Sequence, residues 1–137
     1  MNPALALCGL LLTACVTSTD PGSSNLVVKG TWDYSASQTS PAATLSGTLT
    51  IASQSGGTYQ GTASVAQNDG GGTTDLTGAV TGQTVNDTTV DFDVFFDANA
   101  RRHIATVVRD TMRGAWIETT GSTTLSGTFL AIRRSGP

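Results

Sequence analysis

The sequence is poor in the side chains that do chemistry. It contains one His, one Glu and one Lys, and only 12% of its 137 residues are charged. Catalysis needs groups that exchange protons, attack or hold a metal. His103 sits beside Arg101 and Arg102, and two positive neighbours disfavour its protonated form. It is expected at a strand start on the rim of the fold. There is no Gly-x-Ser-x-Gly turn to present a nucleophile. Asp33, Asp75 and Glu118 fall on separate segments, so spacing nominates no carboxylate pair for glycoside hydrolysis. One His and two Cys (Cys8 and Cys15) are too few for a zinc site. The net charge of −3 excludes the basic surface that nucleic acid requires. Long apolar runs are missing too. The longest, Ala4 to Leu12, falls far short of the roughly 20 residues of a membrane-spanning helix. The expectation is a protein that is not an enzyme and has no cofactor.

What is present begins with that short apolar stretch. Its length fits the core of a signal peptide. It ends in Leu12-Thr13-Ala14-Cys15, which resembles the lipobox of bacterial lipoproteins: an aliphatic residue, two small residues, then the cysteine that receives lipid. The segment departs from that pattern in carrying no Lys or Arg before the apolar stretch. The resemblance implies a signal peptide over residues 1–14, a lipidated Cys15, and attachment to a membrane through that lipid. Cys8 would leave with the signal, so the remaining domain would hold no disulfide. Residues 16–25, VTSTDPGSSN, are small and polar and read, with Cys15, as a flexible tether. The implied location is the cell envelope. Val16, not Asp, follows the cysteine, which points to the outer membrane in a Gram-negative cell and otherwise to the extracellular face of the cytoplasmic membrane.

From Leu26 to Pro137 the chain reads as one domain. An apolar–x–Gly–x–apolar motif recurs six times, centred on Gly30, Gly47, Gly61, Gly78, Gly114 and Gly127. Residues two apart share a face of a strand, so each glycine sits in the middle of an apolar face opposite a mostly polar one. Glycine weakens a strand unless the strand must bend sharply or another backbone comes close. Strands are predicted over residues 27–36, 43–53, 57–66, 73–84, 88–96, 101–108, 111–118 and 123–134. Short turn signals such as Ser40-Pro41, Gly56-Gly57 and Asn86-Asp87 separate them. The fold expected is all-β: a single eight-stranded antiparallel up-and-down meander closed into a β-barrel, with a β-sandwich as the alternative.

Gly30-Thr31-Trp32 in the first strand and Arg133-Arg134 in the last resemble the calycin group, which comprises lipocalins, fatty-acid-binding proteins and avidins. The order of the GTW, LSGT and LTGA runs and the strand ending in Trp116 is most similar to avidin. The resemblance implies a barrel in which Gly30, Trp32 and Arg133 or Arg134 form a closing contact. It carries over no binding residues, because the second lipocalin signature and the several tryptophans of avidin's site are missing.

Two roles follow. One is an interaction or structural role through the exterior or loops of a packed barrel, with an envelope protein as partner. Its motive is the expected lack of ionisable groups inside. The alternative is calycin-like binding of a small hydrophobic ligand within the barrel, lined by Trp32, Tyr34, Tyr59, Phe92 and Trp116, in room left by the glycines. Whether the interior is filled or hollow stays open. Asp91, Asp93 and Asp97 are weak candidates for a hard cation such as calcium.

Overall fold

The computed structural model describes residues 25–135. The signal segment, Cys15 and all of the tether but Asn25 lie outside the described residues. Eight strands follow in order: β1 (Gly30–Gln38), β2 (Ala43–Ser55), β3 (Thr58–Asn68), β4 (Thr73–Thr84), β5 (Thr89–Phe95), β6 (Ala100–Val108), β7 (Thr111–Thr120) and β8 (Thr123–Arg133). Each pairs antiparallel with its neighbour in sequence, and β1 pairs with β8, so the sheet is a closed up-and-down barrel. Closure leaves no free edge. The sandwich alternative is set aside.

The recurrent glycines explain how so small a barrel closes. A Cβ at Gly47, Gly61, Gly78, Gly114 or Gly127 would lie 1.6–2.2 Å from a backbone carbonyl oxygen of the neighbouring strand. Only glycine lets the strands coil this tightly. The glycine positions therefore do not leave the ligand room expected of them, because neighbouring backbone occupies it. Gly30, at φ 139°, lies in a region that side chains rarely enter.

β1 starts at Gly30 rather than at residue 27. Residues 25–29 carry no strand pairing and are held by side chains instead. A register shift between Ile51 and Ser53 bulges β2 and re-aims Gln54. Its Oε1 accepts from the backbone N–H of Val28 and Lys29, and its Nε2 donates to Leu26 O.

The core contains most of the side chains expected to face inward, among them Trp32, Leu45, Leu49, Phe92, Met112 and Phe129. Leu76, Phe96 and Leu125 are only partly buried and lie near one end of the barrel. β6 departs most from expectation. Its buried residues are Arg101, His103, Ala105 and Val107, while Ile104 and Val108 face outward. Glu118 of β7 is buried as well. The interior thus holds three ionisable side chains, against the expectation of none.

Candidate functional site

The two ends of the barrel are built differently. One carries both ends of the described chain and three short turns; it is called the terminus end here. The other carries the connections 39–42, 69–72, 96–99 and 121–122 and is called the loop end.

At the terminus end Arg133 lies over Trp32, with the guanidinium carbon 4.3 Å from the ring centroid. Its nitrogens donate to Lys29 O and to Val27 O, and Nε lies 3.3 Å from Asp110. Trp32 Nε1 donates to Val28 O at 2.9 Å. The segment 25–29 is thereby drawn across the barrel mouth. Arg134 points elsewhere and pairs with Asp33 at 2.7 Å on the surface. Gly30 lies beneath Arg133: a Cβ there would come 3.0 Å from its Nη1.

The middle of the barrel is an aromatic layer around His103, which is fully buried and not at the rim. The rim expectation fails because Arg101 and His103 share the inward phase of β6. The imidazole stacks on Phe92 at 4.6 Å and meets Phe129 edge-on at 4.9 Å. Nδ1 lies 2.9 Å from Arg101 O, which can only accept, so Nδ1 carries the proton. Nε2, 2.9 Å from the Tyr34 hydroxyl, then accepts from it. Burial first, and then the nearby Arg101 charge, push the His103 pKa down to about 3, despite the opposing hydrogen bond to Arg101 O. Burial likewise pushes Tyr34 above the ordinary tyrosine range, and Tyr59 too, helped by the negative charge of Asp91. All three rings are neutral near pH 7. Both His103 nitrogens are engaged, which leaves it poorly placed to act as a base.

The loop end combines charge with unmet hydrogen bonds. Arg101 and Glu118 face each other across β6 and β7, and Arg101 Nε donates to Glu118 Oε2 at 2.9 Å. The guanidinium carbon lies 4.2 Å from the Trp116 ring centroid and 5.2 Å from that of Phe96. Arg101 Nη1, Trp116 Nε1 and Gln38 Oε1 are all buried without a protein partner. Gln38 and Trp116 both register with Gly127. Of the four buried unpartnered side-chain atoms among the described residues, three lie here; the fourth is the Tyr59 hydroxyl. A buried polar atom left unpaired costs about 1–3 kcal/mol, so their concentration at one end calls for a cause.

Of the five expected lining residues, Trp32, Tyr34, Tyr59 and Phe92 pack into the core: Tyr34 stacks on Phe129 and Tyr59 tilts against Phe92. Only Trp116 belongs to the loop end. The three acids expected to share a cation do not converge. Asp91 is held by a two-point ion pair with Arg102, and Asp97 accepts from Asn99 N–H in its own turn. No group of three or more potential ligands among the described residues could hold a metal. A depression of about 780 Å³ opens on the outer face of β2–β6 beside Asp91, Asp93 and Arg102, and Tyr59 and Phe92 of the expected lining set also border it.

No family model and no curated protein matches the chain. Solved barrels do. EF1p2_mFAP2b, described as bound to DFHBI, is 15% identical with a TM-score of 0.67, covering 77% of this chain and 93% of that one. The redesigned beta barrel mFAP1, also bound to DFHBI, is 19% identical with a TM-score of 0.59, covering 77% and 94%. A further redesigned barrel, b11L5F_LGL, is 18% identical with a TM-score of 0.58, covering 79% and 91%. Likeness at these identities establishes the fold alone.

Proposed function

We propose that this chain is a lipid-tethered, non-enzymatic envelope protein whose barrel takes up a small, mainly apolar ligand at its loop end. The observation that carries the reading is the contrast between the ends. Arg133, Gln54 and Trp32 are bonded into a seal at the terminus end. At the loop end Arg101, Trp116 and Gln38 keep buried polar atoms unpartnered, next to partly exposed Leu76, Phe96 and Leu125. Two barrels of similar fold are described with a small molecule bound. The tether rests on the Leu12-Thr13-Ala14-Cys15 lipobox and the polar segment after it.

A second reading, an interaction through the exterior of a filled barrel, is favoured by the backbone-occupied glycine positions and by the depression on the outer face. Native mass spectrometry of the full-length chain, expressed in bacteria and exposed to an envelope extract, separates the two. The proposed function gives a mass excess that disappears on denaturation. A bare native mass after exposure would overturn it in favour of the exterior. The denatured mass tests the tether: a chain beginning at Cys15 with acyl groups supports it, and an intact, unmodified chain refutes it.

A further inference from the structure

We propose that the loop end recognises a neutral molecule through an amide edge, a carbonyl next to an N–H. This rests on the reading of the loop end as a ligand site and names the chemistry of its ligand.

The unmet groups there are two donors, Arg101 Nη1 and Trp116 Nε1, and one acceptor, Gln38 Oε1. All three side chains are more than nine-tenths buried. The acceptor assignment follows from geometry: Gln38 Nε2 donates to Pro41 O at 2.7 Å, and turning the amide would set oxygen against oxygen. The groups share the loop end. Arg101 lies over the Trp116 ring, and Gln38 and Trp116 flank Gly127 on adjoining strands. A Cβ at Gly127 would come 2.9 Å from Trp116 Nε1, so a glycine there keeps the indole N–H uncrowded.

The complement of two donors and an acceptor is a ligand oxygen beside a ligand N–H. Charge decides what kind of oxygen. Arg101 is already compensated by Glu118 at 2.9 Å, and an anion brought to this pair would meet the carboxylate as well as the guanidinium. A neutral carbonyl meets no such opposition. Leu76, Phe96 and Leu125, only partly buried, supply an apolar flank at this end, while the guanidinium itself packs against the Phe96 and Trp116 rings.

The test uses the two tryptophans of the full-length chain, whose indole N–H signals report the two ends separately. Three probes are titrated: 2-quinolone, which has the amide edge; N-methyl-2-quinolone, which lacks its N–H; and 1-naphthoate, an anion of similar size. The proposal predicts that 2-quinolone shifts the Trp116 signal saturably while Trp32 stays still. The N-methyl compound should bind about tenfold more weakly, the cost of leaving one acceptor unpaired. Gln38→Leu should weaken 2-quinolone by a similar factor and leave the N-methyl compound unchanged. If no probe moves Trp116 up to its solubility limit, the ligand site itself is refuted. Equal binding of both quinolones, or tighter binding of naphthoate, would leave the site standing and overturn the amide edge.

Discussion

Acid should loosen this barrel through His103. The imidazole is fully buried, neutral, and engaged at both nitrogens by Tyr34 and Arg101 O. In the folded chain its pKa is pushed down to about 3; in an unfolded chain it is about 6.5. Between those values the unfolded chain binds a proton that the folded chain refuses. Stability from this group is therefore complete above about pH 6.5 and falls as the pH drops towards 3. Each pH unit in that window costs about 1.4 kcal/mol, so moving from pH 7 to 4.5 removes about 2–3 kcal/mol. That is a large share of the 5–15 kcal/mol typical of a domain. Carboxylates titrate in the same range, so the informative quantity is a difference. Urea unfolding of the native chain and of His103→Gln, followed by tryptophan fluorescence from pH 4 to 7.5, isolates it. Their stability difference should shrink by about 2–3 kcal/mol on going from pH 7 to 4.5. A difference constant across that range, or an imidazole signal titrating near pH 6.5 in the folded protein, would refute the buried neutral histidine.

Other substitutions test the architecture. Gly127→Ala places a Cβ 1.6 Å from Ser37 O and should cost at least about 3 kcal/mol. Gly56→Ala meets nothing within 4 Å and is limited by its φ of +58°, so thermal melts should register only about 1 kcal/mol. Arg133→Ala removes the stack on Trp32 and the bonds to Val27 O and Lys29 O; a loss of about 2–4 kcal/mol is expected. Amide exchange at Val28 and Lys29 should quicken in that variant, and unchanged exchange there would count against the seal. Arg109, exposed in the β6–β7 turn, has φ 56°. Arg109→Gly should therefore raise stability by about 0.5–1 kcal/mol in chemical denaturation.

Where period-two alternation was clean, the sequence could be read. Gly47, Gly61, Gly78, Gly114 and Gly127 announced tightly coiled strands because each stood mid-face between apolar neighbours, and the short turns between strands left little choice but a meander. β6 could not be read the same way. Both of its phases mix character: Arg101, His103, Ala105 and Val107 against Arg102, Ile104, Thr106 and Val108. The largest aliphatic, Ile104, lies on the exposed set, and the two valines divide between the faces. Apolarity alone would choose the wrong face. What draws Arg101 and His103 inward comes from distant strands: Glu118 and Trp116 of β7, Tyr34 of β1 and Phe129 of β8. The one local hint was Glu118 in the phase of Trp116, which asked for a buried cation opposite. Gln38 gave no signal, because its unpaired oxygen is defined only by the way Pro41 O holds its nitrogen.

The claim that the loop end receives a ligand is met most directly by amide hydrogen exchange on the full-length chain, read end by end before and after exposure to an envelope extract. The account predicts slowing confined to the strand ends around Gln38, Leu76, Arg101, Trp116 and Leu125, with the terminus end near Trp32 and Arg133 unchanged. Slowing on the outer face of β2–β6, or none at the loop end, would contradict it.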